Sequence, residues 1–341
     1  MKISFLVTYY QQEAYVRESM ESILALEKPA EWEILIGDDG STDGSAELAQ
    51  SYADQDPEHI RLFVMPRDPT RKYLAIERAS ENRLNLVRHA TGDCYCLMDG
   101  DDFYSETDFI LQALEILENH PEVTVVGFDT WMYREGGPER LPRKGNSRPH
   151  FLHREKYLRW QYTHAGACVI RNIHTKENLA CLERLNYFDD NEITLNALNF
   201  GKMVRIYRPI YAYRQDASSM YVAMSPSERA ALNVAAMGVA LRIMGPEWEK
   251  VLYARFATGI LMAWNLRSHL KENIRPDKYE AYLRICHRAG FETGVKLLRY
   301  PELEQSERGE VRTLVCRAGR ESPPRVFYAW MQTWRREKCH E

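Results

Sequence analysis

The sequence predicts a two-part α/β protein, in which a mostly parallel sheet covered by helices on both faces is followed by a helical region. Three observations carry this. Short apolar runs alternate with segments of helical period along the first 130 residues, acidic clusters stand directly after two of those runs, and the pattern beyond residue 227 is helical almost throughout.

The elements follow in order. Ile3 to Thr8 is an apolar run, then Val16, Ser19, Met20, Ile23 and Leu24 recur at helical spacing, and Trp32 to Gly37 forms a second run. A helix is expected near Ser45 to Ala53, a strand at Ile60 to Met65, a helix across Leu74 to His89 and a strand at Cys94 to Met98. A helix at Phe109 to Asn119 and a strand at Val123 to Phe128 complete the alternation. Strands joined by helices of this length pair in parallel, and such sheets bind ligands at the carboxyl ends of their strands. Residues 131–149 are rich in Gly, Pro, Arg and Lys and read as a mobile loop. A boundary near Gln215 to Ser227 separates a domain of residues 1–215 from one of 216–341. Helices are expected in the latter over Glu228 to Met244, Glu247 to Leu270, Lys278 to Arg288 and Arg325 to Lys338.

Composition narrows the class. With 28% charged and 45% hydrophobic residues the chain is globular, and a net charge of −4 supplies no general attraction to nucleic acid. The longest uncharged apolar stretches fall short of the roughly 20 residues that a membrane-spanning helix needs. The first residues read as a strand and not as a signal peptide. Seven cysteines without a CxxC pair fit neither a zinc site nor a disulfide framework, so a reducing cytoplasm is the expected location. Cys94 and Cys96 read as sheet-face residues of the core.

The chemistry should lie where the carboxylates fall. Asp38, Asp39, Gly40, Ser41, Thr42, Asp43 and Gly44 form a tight turn after the second strand, which could cap the next helix or receive hydrogen bonds from a ligand. Asp99, Gly100, Asp101 and Asp102 place three carboxylates at one strand tip. Like charges so close call for a counter-cation, and a divalent ion with oxygen ligands, Mg²⁺ or Mn²⁺, is the natural one; a solvated acidic turn is the alternative. Asp189, Asp190 and Glu192 precede a helical stretch, Ile193 to Phe200, where they could simply complement the helix dipole or supply a general base.

Taken together, Ile3 to Tyr9 with Glu13, the 38–44 turn, Gly92-Asp93 leading to Asp99-Gly100-Asp101-Asp102, and Asp189-Asp190 resemble the family 2 inverting glycosyltransferases of GT-A, Rossmann-like fold. The resemblance covers about residues 1–215. It implies that Thr8, Tyr9 and Glu13 line the nucleotide, that Asp39 binds the base, usually uracil, and that Asp99 and Asp101 are the DxD metal motif, with Asp99 also facing the nucleotide. It further implies that Asp190 is the catalytic base. Tyr10 stands where an asparagine is common, Asn82-Arg83 loosely match the usual Arg-Asn pair, and Asp189 takes the place of a glutamate, with Glu192 close enough to compete as base. Arg67, Arg71 and Lys72 could add phosphate contacts or form a solvated basic loop, and Arg71 is counted with the nucleotide-binding set. His164 and Asp189 are candidate sugar contacts.

The implied reaction is metal-dependent transfer of a sugar from a nucleoside-diphosphate sugar, UDP-linked, to a hydroxyl of a glycan or lipid-linked acceptor, as in cell-surface polysaccharide synthesis. Phe327, Trp330, Met331 and Trp334 recur at helical spacing beside Arg325, Arg335, Arg336 and Lys338. That helix could lie on an anionic membrane at the inner face, or pack on the catalytic domain or a second subunit, and packing is favoured. A non-catalytic nucleotide-sugar-binding module is the alternative reading. A haloacid-dehalogenase-like phosphatase is disfavoured by Asp102-Phe103 after the Asp-x-Asp, and a dinucleotide-dependent oxidoreductase by the absence of glycine between Thr8 and Glu13.

Overall fold

The computed structural model describes residues 1–68, 70, 73–134, 137–138, 148–160, 162–215 and 223–322. The chain divides into two compact units, Met1–Arg154 with Tyr162–Ser219, and Glu155–Gln161 with Met220–Glu341.

Among the described residues the first unit holds ten strands: β1 (Ile3–Tyr9), β2 (Trp32–Asp38), β3 (Ile60–Val64), β4 (Cys94–Asp99), β5 (Phe103–Tyr104), β6 (Val123–Arg134), β7 (Gly137–Pro138), β8 (His150–Leu152), β9 (Cys168–Arg171) and β10 (Lys202–Arg214). They form one sheet in the order β3-β2-β1-β4-β9-β6-β10-β5, with β7 beside β6 and β8 beside β10. The stretch β3-β2-β1-β4 is parallel, as is β6 with β10. Between them the short strand β9 runs antiparallel to both β4 and β6. The helices are α1 (Glu13–Leu24), α2 (Ser45–Gln55), α3 (Ala75–His89), α4 (Phe109–Asn119), α5 (Arg154–Trp160), α6 (Lys176–Leu185) and α7 (Asp190–Phe200).

Burial explains why β1 is central. Ile3, Phe5, Leu6, Val7 and Tyr9 are all at most 1% exposed, because a strand flanked on both edges and covered on both faces must be apolar throughout. Cys94 and Cys96 are buried and free, as expected of small apolar residues in the sheet. Burial also pushes the Cys94 thiol up to about 12.

Three expectations change. Residues 131–134 continue β6 instead of opening a loop. Strand β10 was not foreseen, since its Pro209 and its four charged side chains break the apolar alternation; the register against β6 shifts on both sides of Pro209, where a ladder N–H is missing. In the second unit α8 (Pro226–Met244), α9 (Glu249–Asn265) and α10 (Pro276–Ala289) follow the helical period, and α11 (Glu292–Leu298) and α12 (Arg308–Glu321) add two helices. Helix α8 starts on a capping box in which Ser225 and Glu228 satisfy each other's backbone N–H groups. All but the first residue of α5 also belong to this unit: Arg255 donates to the Leu158 carbonyl at 3.2 Å, and Arg159 pairs with Glu321 at 3.5 Å. The segment Arg325 to Lys338 lies outside the described residues. No helix among the described residues is long and apolar enough to cross a membrane.

Candidate active site

The carboxyl ends of β2 and β4 and the starts of α1 and α7 carry the acidic residues singled out above. At the tip of β2, Asp38 is fully buried and accepts from the Ser41 N–H at 2.8 Å. The turn is braced by the start of α1: Glu13 accepts from the Gly44 N–H at 3.0 Å and its own N–H donates to Asp43 at 3.1 Å. Glu13 thus shapes the turn. Asp39 is buried and gripped by Arg67 and by Arg78, whose Nε donates to Oδ1 at 2.6 Å. Arg67 also donates to the Asp39 carbonyl at 2.6 Å and lies 3.9 Å from the centroid of the Tyr10 ring. So Arg67 is directed onto Asp39 and not into open solvent, while Arg71 and Lys72 lie outside the described residues. Tyr9 is 1% exposed with its hydroxyl 2.5 Å from Ser19 Oγ, so its phenol belongs to the core and its backbone carbonyl, accepting from Asp39 N–H at 2.9 Å, belongs to the rim.

The tip of β4 separates its three carboxylates. Thr8 pairs with Asp99 across the β1–β4 ladder, and its hydroxyl is 3.4 Å from Asp99 Oδ1. Gly100 is required there, because a Cβ would lie 2.1 Å from the Tyr9 ring. Asp102 turns inward, 1% exposed, and accepts from the Tyr211 hydroxyl at 2.6 Å and the Arg214 N–H at 2.7 Å. Burial and the neighbouring Asp101 and Asp99 push its pKa well up, against those two hydrogen bonds. Arg214 also donates to the Asp101 carbonyl at 2.8 Å, tying the end of β10 to this turn.

Helix α7 brings the third acidic group. Asp189 occupies its N-cap position in extended conformation, yet its side chain makes no capping hydrogen bond. Its Oδ1 instead accepts from Arg83 Nη1 at 2.9 Å, while Arg83 Nη2 donates to Asp99 Oδ1 at 2.8 Å. One guanidinium on α3 therefore joins the tip of β4 to the start of α7. Burial opposes its charge, but Asp99, Asp189 and Asp190 outweigh that and raise its pKa. Asp99 is held below the usual carboxylate range because Arg83 overcomes the cost of burial, whereas burial, with Asp190 and Asp99 nearby, raises Asp189 despite Arg83. Asp190 keeps 23% of its side chain exposed and accepts from the Tyr162 hydroxyl at 3.0 Å and the Ala165 N–H at 3.2 Å, with His164 Nε2 at 3.3 Å. Glu192 is 1% exposed.

Chemically, the arrangement is a cluster of carboxylates held by two buried guanidinium groups, Arg78 on Asp39 and Arg83 on Asp99 and Asp189. Asp99, Asp102 and His164 can each bring a ligand atom within 4.8 Å of the others. This set differs from the Asp99 and Asp101 pair expected from the sequence, and Asp102 has both oxygens engaged by Tyr211 and Arg214. Thr8 and Arg83 both contact Oδ1 of Asp99. An oxygen-rich donor set of this kind fits a hard divalent cation.

The model of glycosyl transferase family 2 matches residues 4–176, half of the sequence and most of the elements that carry this cluster. The chain belongs to that family. Among curated relatives, EpsE of Bacillus subtilis, named a glycosyltransferase, is 35% identical over 136 residues, covering 40% of this chain and 45% of EpsE. EpsJ, an uncharacterized glycosyltransferase of the same organism, is 23% identical over 234 residues, covering 64% of this chain and 62% of EpsJ. The chain thus spans about half the length of the curated relatives it matches. In fold, the family 2 chain is similar to residues 1–349 of Staphylococcus aureus TarS, solved with UDP-GlcNAc, at a TM-score of 0.58 and 14% identity over 98% of this chain and 92% of TarS. The UDP complex of the same protein gives 0.57 at 14% identity, with the same coverage. Together with the parallel β3-β2-β1-β4 core, this is a GT-A-like α/β fold with a helical C-terminal region.

Residues that sequence reasoning passed over are Arg78, Tyr162, Tyr211 and Arg214, and Arg83 was noted only within a loose motif. The signal for β10 was present in Tyr207, Tyr211 and Tyr213, whose partial alternation marks a strand.

Proposed function

We propose that this chain is an inverting, metal-dependent glycosyltransferase that moves a sugar from a UDP-linked donor to a hydroxyl of a glycan or lipid-linked acceptor in cell-surface polysaccharide synthesis. The observation that carries this reading is the bridge made by Arg83, which pairs with both Asp99 and Asp189 and so draws the β4 turn and the start of α7 together. Family membership supports sugar transfer, and the UDP and UDP-GlcNAc complexes of TarS support a uridine nucleotide.

In this mechanism Asp190, first residue of α7, takes the proton of the acceptor hydroxyl as that oxygen attacks the anomeric carbon from the face opposite the nucleotide. The bond from that carbon to the diphosphate oxygen breaks and the nucleoside diphosphate leaves with its electron pair, inverting the configuration. Asp101 with Asp99 would hold Mg²⁺ or Mn²⁺, which supplies positive charge for the departing diphosphate. Thr8, Glu13 and Asp39 line the base and ribose side, with Tyr9 contributing its backbone. Arg71 is assigned to the phosphates, and Asp189 and His164 stand on the sugar side. Residues 216–341 are assigned acceptor choice, self-association or contact with the inner membrane face, as alternatives, in a cytoplasmic protein.

Titration calorimetry with UDP, with and without Mn²⁺, tests the reading: metal-dependent binding is expected, and absence of nucleotide binding would leave the acidic cluster without its ligand. A screen of sugar nucleotides for slow hydrolysis then identifies the donor. Flotation with vesicles of anionic lipid, with and without residues 311–341, tests the membrane contact.

A further inference from the structure

We infer that His164 is a positioning residue for Asp190, holding the carboxylate through an imidazole whose tautomer the backbone has locked; this rests on the reading of Asp190 as the base. His164 Nδ1 accepts a hydrogen bond from the Gly166 N–H at 3.1 Å, so Nδ1 carries no proton and the ring hydrogen sits on Nε2. Nε2 stands 3.3 Å from Asp190 Oδ2, within ion-pair reach. The ring cannot easily swing away. It is 5% exposed, stacks on Tyr211 at 5.1 Å with an interplanar angle of 28°, and meets Tyr213 at 4.7 Å. Tyr211 is in turn anchored through its hydroxyl to Asp102 at 2.6 Å. Gly166 completes the fit, because a Cβ there would lie 2.2 Å from the Tyr211 ring.

The neighbouring donors show what this achieves. Tyr162, 52% exposed, also donates to Oδ2, and the Ala165 N–H donates to Oδ1 at 3.2 Å. Four consecutive residues therefore place two donors on this carboxylate and an imidazole nitrogen beside it. Of these, the buried imidazole is the side chain whose position is set by packing. A base held this way starts in the geometry of proton transfer, and small misplacements of such a group cost on the order of 10²-fold in rate.

Two measurements on the full chain test this. Ring-nitrogen NMR of ¹⁵N-histidine-labelled protein should show His164 as the Nε2–H tautomer, with its Nε2 resonance moving in Asp190→Asn. An Nδ1–H tautomer, or a resonance indifferent to Asp190→Asn, overturns the proposal. The second measurement is UDP release from UDP-GlcNAc. His164→Leu should lower its kcat by about 10²-fold while Mn²⁺-dependent UDP binding stays within twofold. His164→Gln, whose amide can reach the position of Nε2, should recover most of the loss, and it remains the informative variant if the leucine protein does not fold. In an Asp190→Asn background the leucine change should add little. An equal loss in both backgrounds means that His164 does not act through Asp190, and weakened metal-dependent UDP binding marks it as a metal ligand; either result overturns the proposal. Near wild-type turnover by Asp190→Asn alone defeats the base assignment separately.

Discussion

Arg83 Nη2 lies 2.8 Å from Asp99 Oδ1, and the same guanidinium reaches Asp189, so a single buried cation sets the distance between these two acidic groups. Replacing it with an apolar side chain leaves two carboxylates, 28% and 30% exposed, facing one another. Breaking a fully buried pair from one side typically costs about 3–5 kcal/mol, and the exposure of these carboxylates brings the expected cost down to about 2–3 kcal/mol. Arg83→Met should lower the stability measured by denaturant unfolding by that order, and Arg83→Lys, which cannot fork between two carboxylates, should fall between. A loss under 1 kcal/mol for the methionine variant would show that the bridge contributes little.

Asp101 and Asp190 should separate binding from chemistry. Asp101→Ala is expected to abolish metal-dependent nucleotide binding in calorimetry. Asp190→Asn should retain binding and lose turnover by about 10²- to 10⁴-fold, the range a general base supplies. Full transfer activity in Asp190→Asn would redirect the search to Glu192, although its burial makes it a poor base for a bound acceptor.

Gly166→Ala tests the packing beneath the base. The added methyl lands on the Tyr211 ring, which is pinned to Asp102, so neither neighbour can yield freely. A destabilisation of about 1–3 kcal/mol is expected, together with reduced turnover as the His164 ring shifts. Thermal melting with unchanged midpoint and unchanged rate would mean that the turn relaxes without cost.

Away from the cluster, Glu33 predicts an acid limb of stability. Burial opposes its ionisation, but hydrogen bonds from the Ser4 hydroxyl at 2.7 Å and from the Thr91 N–H and hydroxyl at 2.7 and 2.9 Å prevail and hold its pKa below the usual value. A carboxylate with a depressed folded-state pKa stabilises the fold fully above its unfolded value of about 4.3, and that contribution is lost as the pH falls through the lower folded value. Glu33→Gln should therefore lower the denaturant midpoint at pH 7 and flatten its fall between pH 5 and the acid transition. An unchanged acid limb would assign that limb to other carboxylates.

What could be read along the chain was whatever repeats at short range. Strands β1, β2, β3 and β4 and the helices between them follow from apolar period alone, and the acidic tips at Asp38–Asp39 and Asp99–Asp102 follow from their place at strand ends. The chain alone could not show that Asp102 is structural while Asp99 pairs with Arg83, because Tyr211 and Arg214, which claim Asp102, lie more than 100 residues away. Nor could it show that Asp189 forgoes capping α7, since the Arg83 that takes its carboxylate sits 106 positions earlier. Local sequence sets backbone conformation and which residues must be buried. The pairing of charges across the cluster is decided only when separate elements pack, where burial makes an uncompensated carboxylate costly and selects the one arrangement that satisfies it.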